Sequence, residues 1–142
     1  MATLLIAGLM IVIPISAAKI IAVKVGGLER GRIISVNAEG VKSEKDTFGK
    51  SSPWIDFYGK RGDATEGLAI LQHPANPWYP SPWFTRDYGF MSPTPMYWPE
   101  NGTETVMKKG TVLNLRYRVI VHAGDHNQAK IAEAFEKYKN EK

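Results

Sequence analysis

Seven of the nine prolines in this chain fall between His73 and Pro99. The same stretch carries Trp78, Tyr79, Trp83, Phe84, Tyr88, Phe90, Tyr97 and Trp98. Proline fixes φ and removes the backbone donor, so this density excludes a helix and a central strand. A long loop inside a compact domain is more often functional than idle. The sequence therefore points first to the His73–Trp98 stretch as the place where function sits, with a short strand inside it near Trp83 to Asp87.

The rest reads mainly as β. Lys19–Val25, Gly31–Val36, Trp54–Tyr58 and Glu66–Gln72 are short, β-branched or alternating, and bounded by glycine or polar turns. Asn37–Ser52 reads as a loop, Gly59–Asp63 as a turn, and Thr103–Met107 as a strand after the Asn101-Gly102 turn. Val112–His122 is the clearest strand. It places Leu113, Leu115, Tyr117, Val119 and Val121 on one face, and Asn114, Arg116, Arg118, Ile120 and His122 on the other. After Gly124, Asp125 and Gln128 have capping-box spacing, and Ile131, Phe135 and Tyr138 give the helix that follows an apolar stripe. The expected fold is mainly β, an antiparallel sandwich-like arrangement with one C-terminal α-helix, forming a single domain over 19–142.

At the amino terminus, Leu4–Ile15 is a short apolar run followed by Ser16-Ala17-Ala18. This resembles a signal-peptide core with a small-residue cleavage site over residues 1–18, although Met1-Ala2-Thr3 lacks a basic residue. On that reading the protein is periplasmic or secreted; if the run is instead a core strand, it is cytoplasmic. The run is too short to span a bilayer comfortably, so an integral membrane protein is not expected. A net charge of +4 spread along the chain, without nucleic-acid-binding motifs, argues against a nucleic-acid partner. The absence of cysteine excludes disulfides and thiolate chemistry. No phosphate-binding loop or nucleophile-elbow motif is present.

Several blocks resemble a bacterial family of unknown function that carries the label "methane oxygenase PmoA". They are Asn37-Ala-Glu-Gly40 with Glu44 and Gly49, Trp54-Ile-Asp-Phe57 with Gly59, and Gly67-Leu-Ala-Ile-Leu-Gln-His73-Pro-Ala-Asn76-Pro77. They continue with Pro82-Trp83-Phe-Thr-Arg86-Asp87-Tyr88-Gly89 and Leu115-Arg116-Tyr117-Arg118 leading to Val121-His122-Ala-Gly124-Asp125. The resemblance runs from about Val23 onward and covers the C-terminal half of the family's domain. It implies a β-sandwich, a carbohydrate association and frequent export. Missing partner strands would leave open sheet edges, through which self-association is expected. A true methane monooxygenase subunit crosses the membrane several times, which one short apolar run cannot do.

Three readings of function follow. The first is carbohydrate binding or processing, with a small-molecule or oligosaccharide ligand in an aromatic-lined cleft. Flat rings stack on sugar faces while polar side chains take the hydroxyls. In a catalytic version His73 and His122 act as acid and base, and Asn76, Trp83, Arg86, Asp87, Arg116 and Arg118 bind substrate. The second is a non-catalytic binding or structural module, in which the aromatics are core and the arginines are surface pairs. The third, a metal-dependent oxidoreductase, follows the family label. His73, His122, His126 and Asp87 lack the close spacing of ligands on one element, so neither a metal site nor a cofactor is expected.

Overall fold

The structure, a computed structural model, describes residues 5–14, 23–24, 28, 33–95 and 106–142. The described residues hold eight strands and two helices: β1 (Leu5–Pro14), β2 (Val23–Lys24), β3 (Ile34–Asn37), α1 (Glu44–Thr47), β4 (Trp54–Arg61), β5 (Ala64–Gln72), β6 (Trp83–Arg86), β7 (Phe90–Pro93), β8 (Val112–Ala123) and α2 (Ile131–Tyr138). They form two antiparallel sheets. The larger has the order β1-β8-β5-β4-β3 and the smaller β2-β7-β6.

The larger sheet is covered on both faces, and each cover has its own core. On one side α2 lays Ile131, Phe135 and Tyr138 against Val36, Trp54, Tyr58, Ala69, Leu71 and Ile120. On the other, Trp83 and Met91 of the smaller sheet close over Ile55, Phe57, Ile70, Leu115 and Tyr117. Double coverage explains why Trp54–Tyr58 is buried at every position rather than at alternate ones. It also explains why Ile120 and His122 are buried although they share a strand face with arginines. Each large side chain so enclosed contributes about 1.5–3 kcal/mol.

The antiparallel β architecture and the C-terminal helix agree with the sequence, and the stripe Ile131, Phe135, Tyr138 is the buried one. The turn expected over Gly59–Asp63 is shorter than that: β4 continues through Arg61 and the hairpin to β5 turns at Gly62 and Asp63 alone, with Gly62 at φ 58°, where a two-residue turn needs positive φ. The capping box forms as well: Gln128 N–H donates to Asp125 Oδ1 at 2.9 Å, and Asp125 N–H donates to Gln128 Oε1 at 3.0 Å. The regular helix nevertheless begins later, at Ile131, because Lys130 takes a left-handed φ of 55°.

Elsewhere the structure corrects the reading. Asn37–Ser52 is not wholly a loop, since it holds the single turn α1. Ser43 supplies no side-chain cap there; Asp87 Oδ1 instead accepts the Glu44 N–H at 2.9 Å from a distant part of the chain. The proline-rich stretch is not only a loop around one short strand. Its prolines cluster before Trp83 and from Pro93 onward, which leaves room for a complete β6–β7 hairpin. Residues 5–14 of the apolar leader run antiparallel to β8, from Leu5 opposite Val121 to Pro14 opposite Val112. Of the expected Lys19–Val25 strand only Val23 and Lys24 are described, and Tyr97, Trp98 and Thr103–Thr105 lie outside the described residues.

Candidate functional site

The eight residues singled out from sequence do not share one cleft. They divide among a cluster at the carboxyl end of α2, a cluster beside α1, and the two cores.

Four of them meet at the first cluster. His73 follows β5, and its backbone N–H donates to the Arg116 carbonyl at 3.1 Å. Asn76 then grips the Arg116 backbone twice: its amide Nδ2 donates to the carbonyl at 2.8 Å, and its Oδ1 accepts the N–H at 2.6 Å. Asn76 thus takes the place of a strand neighbour along β8 and fixes where Arg116 and Arg118 start.

Both arginines and His73 converge on Glu141. Arg118 binds its carboxylate in a fork, Nη1 to Oε1 at 2.8 Å and Nη2 to Oε2 at 2.6 Å. His73 Nε2 donates to the Glu141 carbonyl at 2.9 Å, and Arg116 Nη1 donates to it at 3.2 Å. Tyr138 underlies the cluster, with the Arg118 guanidinium 4.5 Å above its ring and the His73 ring edge-on at 5.1 Å. Burial pushes the Tyr138 hydroxyl up to about 12. The Arg118 hydrogen bonds, reinforced by the charges of Arg118, Arg116 and His73, hold the Glu141 carboxyl below its ordinary value. Beside the cluster a groove of about 380 Å³ runs between β8 and α2, lined by Arg118, Ile120, Ala129, Ala134, Lys137 and Glu141.

His73 is committed within this cluster. Its Nδ1 accepts the Ala75 N–H at 3.1 Å while Nε2 donates to Glu141, so both ring nitrogens are occupied.

His122 lies elsewhere. It is six residues further along β8 than Arg116, about 20 Å from the strand position His73 contacts at 3.3 Å per residue. Its Nε2 donates to Asp56 Oδ1 at 2.8 Å, with both side chains almost wholly enclosed. Burial disfavours the imidazolium, but the hydrogen bond to Asp56 and its charge outweigh this, together with the Ala123 and Gly124 carbonyls, and the His122 pKa is raised. Among the described residues Asp56 Oδ2 has no hydrogen-bond partner. His126 stacks on Tyr58 at 5.6 Å and leans toward Trp54 at 6.5 Å, so it covers the same strand face that bears Asp56. A second groove, of about 390 Å³, opens at His126 between the 37–40 turn and the start of α2. The structure therefore does not bring His73 and His122 together.

Arg86 and Asp87 form the cluster beside α1. Arg86 Nη1 meets Glu44 Oε1 at 2.7 Å, and its guanidinium lies between the Phe48 and Phe84 rings at 4.3 and 4.4 Å. Asp87 N–H donates to Glu44 Oε2 at 2.9 Å while its carboxylate takes the Glu44 N–H. This exchange pins the β6–β7 turn to α1. Trp83 is wholly buried and its Nε1–H donates to the Ser52 carbonyl at 2.7 Å. It is a core residue. Among the described residues no three His, Asp or Glu side chains gather as a metal site, and no helix is long and apolar enough to cross a membrane.

Sequence reasoning nominated none of Asp56, Gly67, Glu44 and Glu141 as site residues, although the first three belong to the blocks that carry the family resemblance. Asp56 carried a signal: alternation in Trp-Ile-Asp-Phe-Tyr puts this acid on the face of Trp54 and Tyr58, where a lone carboxylate needs a buried partner. Glu141 carried none, because nothing local marks one glutamate in a Lys/Glu-rich segment.

Fold and clusters together define a two-sheet antiparallel β domain backed by one helix, with a basic cluster at the helix's carboxyl end. The chain belongs to the family described as "Family of unknown function (DUF6807)", with residues 28–136 matched. That match shows a domain of unknown function and carries no oxygenase label. No curated protein and no solved structure matches the chain.

Proposed function

We propose that this domain is a non-catalytic binding module that takes a small carbohydrate at the Arg116–Arg118 cluster and the groove beside it. One observation carries the reading: His73, Arg116 and Arg118, three of the residues nominated for ligand binding or chemistry, come from two separate segments of chain and converge there on Glu141, Arg118 on its carboxylate and the other two on its backbone carbonyl. The groove offers Arg118, Lys137 and Glu133 for hydroxyl or carboxylate groups, and Ile120, Ala129 and Ala134 for an apolar sugar face. The proline-rich hairpin offers less. Trp83 is in the core, Arg86 is spent on Glu44, and Asp87 caps α1. Binding is preferred to processing because His73 anchors beside Arg116, six strand positions from His122 along β8, and each imidazole is engaged by its own partner inside the fold.

The test is an NMR titration of the whole chain with neutral and acidic mono- and oligosaccharides. Shifts centred on Arg116, Arg118 and Ala134 are expected. Shifts centred on Arg86–Tyr88, or none with any sugar, would overturn the assignment.

A further inference from the structure

We propose that the Arg118 fork is a carboxylate-binding subsite and that Glu141 is its tethered occupant, so that an acidic sugar must displace Glu141 to bind. This rests on reading the cluster as the ligand site and specifies the ligand group it selects, a uronate carboxylate rather than a neutral hydroxyl pair.

The receptor half is held firmly and the occupant half is not. The Arg118 side chain is 18% exposed and lies over the Tyr138 ring, whereas the Glu141 side chain is 44% exposed. Arg116 is fixed through its backbone by Asn76 and His73, on a strand that is hydrogen-bonded on both sides. Removing Glu141 would therefore leave the guanidinium where it is. The fork is already aligned with two carboxylate oxygens, the arrangement arginine uses for planar acids. The groove of about 380 Å³ begins at this fork and has Glu141 in its wall, so a carboxylate seated on Arg118 has space for an attached ring. His73, Arg116 and Arg118 lie within the span matched to the family, and Glu141 lies outside it.

A partly exposed ion pair is worth little in water, so the tether competes without closing the site permanently. A self-occupied state of that strength lowers apparent affinity by a factor of about 2–6.

The experiment compares glucuronate and glucose binding to the native chain, Glu141→Gln, and Glu141→Gln combined with Arg118→Lys. Glucuronate should bind Glu141→Gln about 2–6-fold more tightly than the native chain. The added Arg118→Lys keeps the charge, removes the fork and should abolish that gain, while glucose, which has no carboxylate, should show no such gain in Glu141→Gln. In the native chain, saturating glucuronate should erase the nuclear Overhauser contacts between Arg118 and Glu141, a readout that needs no variant. Equal glucuronate affinity in native and Glu141→Gln protein, with those contacts retained, overturns the tether and leaves the ligand site standing. If neither sugar binds any variant but acetate shifts Arg118 in Glu141→Gln only, the tether stands and the carbohydrate reading fails. If acetate shifts Arg118 in neither protein, the subsite itself is overturned.

Discussion

His122 occupies the volume that Gly67 leaves by having no side chain. The two are opposite each other on β8 and β5, and a Cβ on Gly67 would fall inside the His122 imidazole and 2.8 Å from the Phe57 carbonyl. The ring crosses β5 at this gap and reaches Asp56 on β4. Gly67→Ala should therefore expel His122, break its bond to Asp56 and leave a buried carboxylate unpaired. Overpacking alone costs about 1–3 kcal/mol, and stranding one half of a buried pair about 3–5 kcal/mol. Urea unfolding should show a loss of at least about 3 kcal/mol or no folded protein. A loss under about 1 kcal/mol would mean that the ring has another place to go.

The same pair sets a pH dependence. The folded-state pKa of His122 is raised above its ordinary 6.5. A raised pKa means the folded state holds the proton more tightly than the unfolded chain. The stabilisation is fully present below 6.5 and is lost as pH rises through the folded value. Stability measured from pH 6 upward should fall, and Asp56→Asn should flatten that slope as well as lower stability. A native profile that rises over the same range would contradict the protonated His122–Asp56 pair.

Trp83 separates the core reading of the aromatics from the ligand reading. It is fully buried, and its indole donates to Ser52, whose carbonyl also accepts from Gln72 Nε2 at 3.1 Å. Trp83→Phe keeps that carbonyl partnered, so the cost is mostly lost volume, about 1–3 kcal/mol. Chemical denaturation should show that loss, while sugar binding at folded temperatures stays within about twofold of native, well below the effect of losing a hot-spot contact. A large affinity loss without a stability loss would restore Trp83 to a ligand platform.

How far the sequence reached depends on whether a feature is local. The turn after Trp54–Tyr58 and the spacing of Ile131, Phe135 and Tyr138 are short-range, and each appears at or near where it was read, whereas alternation does not describe the burial of Trp54–Tyr58, which is enclosed throughout. The β6–β7 hairpin was hidden because proline count was weighed over proline position, and Trp83–Ser92 contains none. Site residues were legible as types and not as groups. Arg86, Arg116 and Arg118 look alike in sequence, yet their partners are Glu44 and Glu141, 42, 25 and 23 residues away. Ile120 on the arginine face of β8 was the available clue that this face is covered. The covering helix could not be placed without the tertiary fold.

Asn76 is where loop and strand become one unit. Its amide satisfies both the N–H and the carbonyl of Arg116, and no apolar residue can do either. Asn76→Ala leaves two partly buried backbone groups without that partner, although the carbonyl keeps the His73 N–H. Each such loss costs about 1–3 kcal/mol if water cannot enter, and less if it can. The expected outcome is a loss of about 1–3 kcal/mol with the rest of the fold intact. Because the Arg116 amide is freed directly, its hydrogen exchange should accelerate by more than global destabilisation alone produces, while amides of α1 follow the global change. Asn76→Asp tests the direction of the contact. It keeps the acceptor for the Arg116 N–H and loses the donor to the carbonyl, so Arg116 exchange should stay slow relative to Asn76→Ala. Equal exchange rates in the two variants would show that Asn76 positions β8 by packing and not by these two hydrogen bonds.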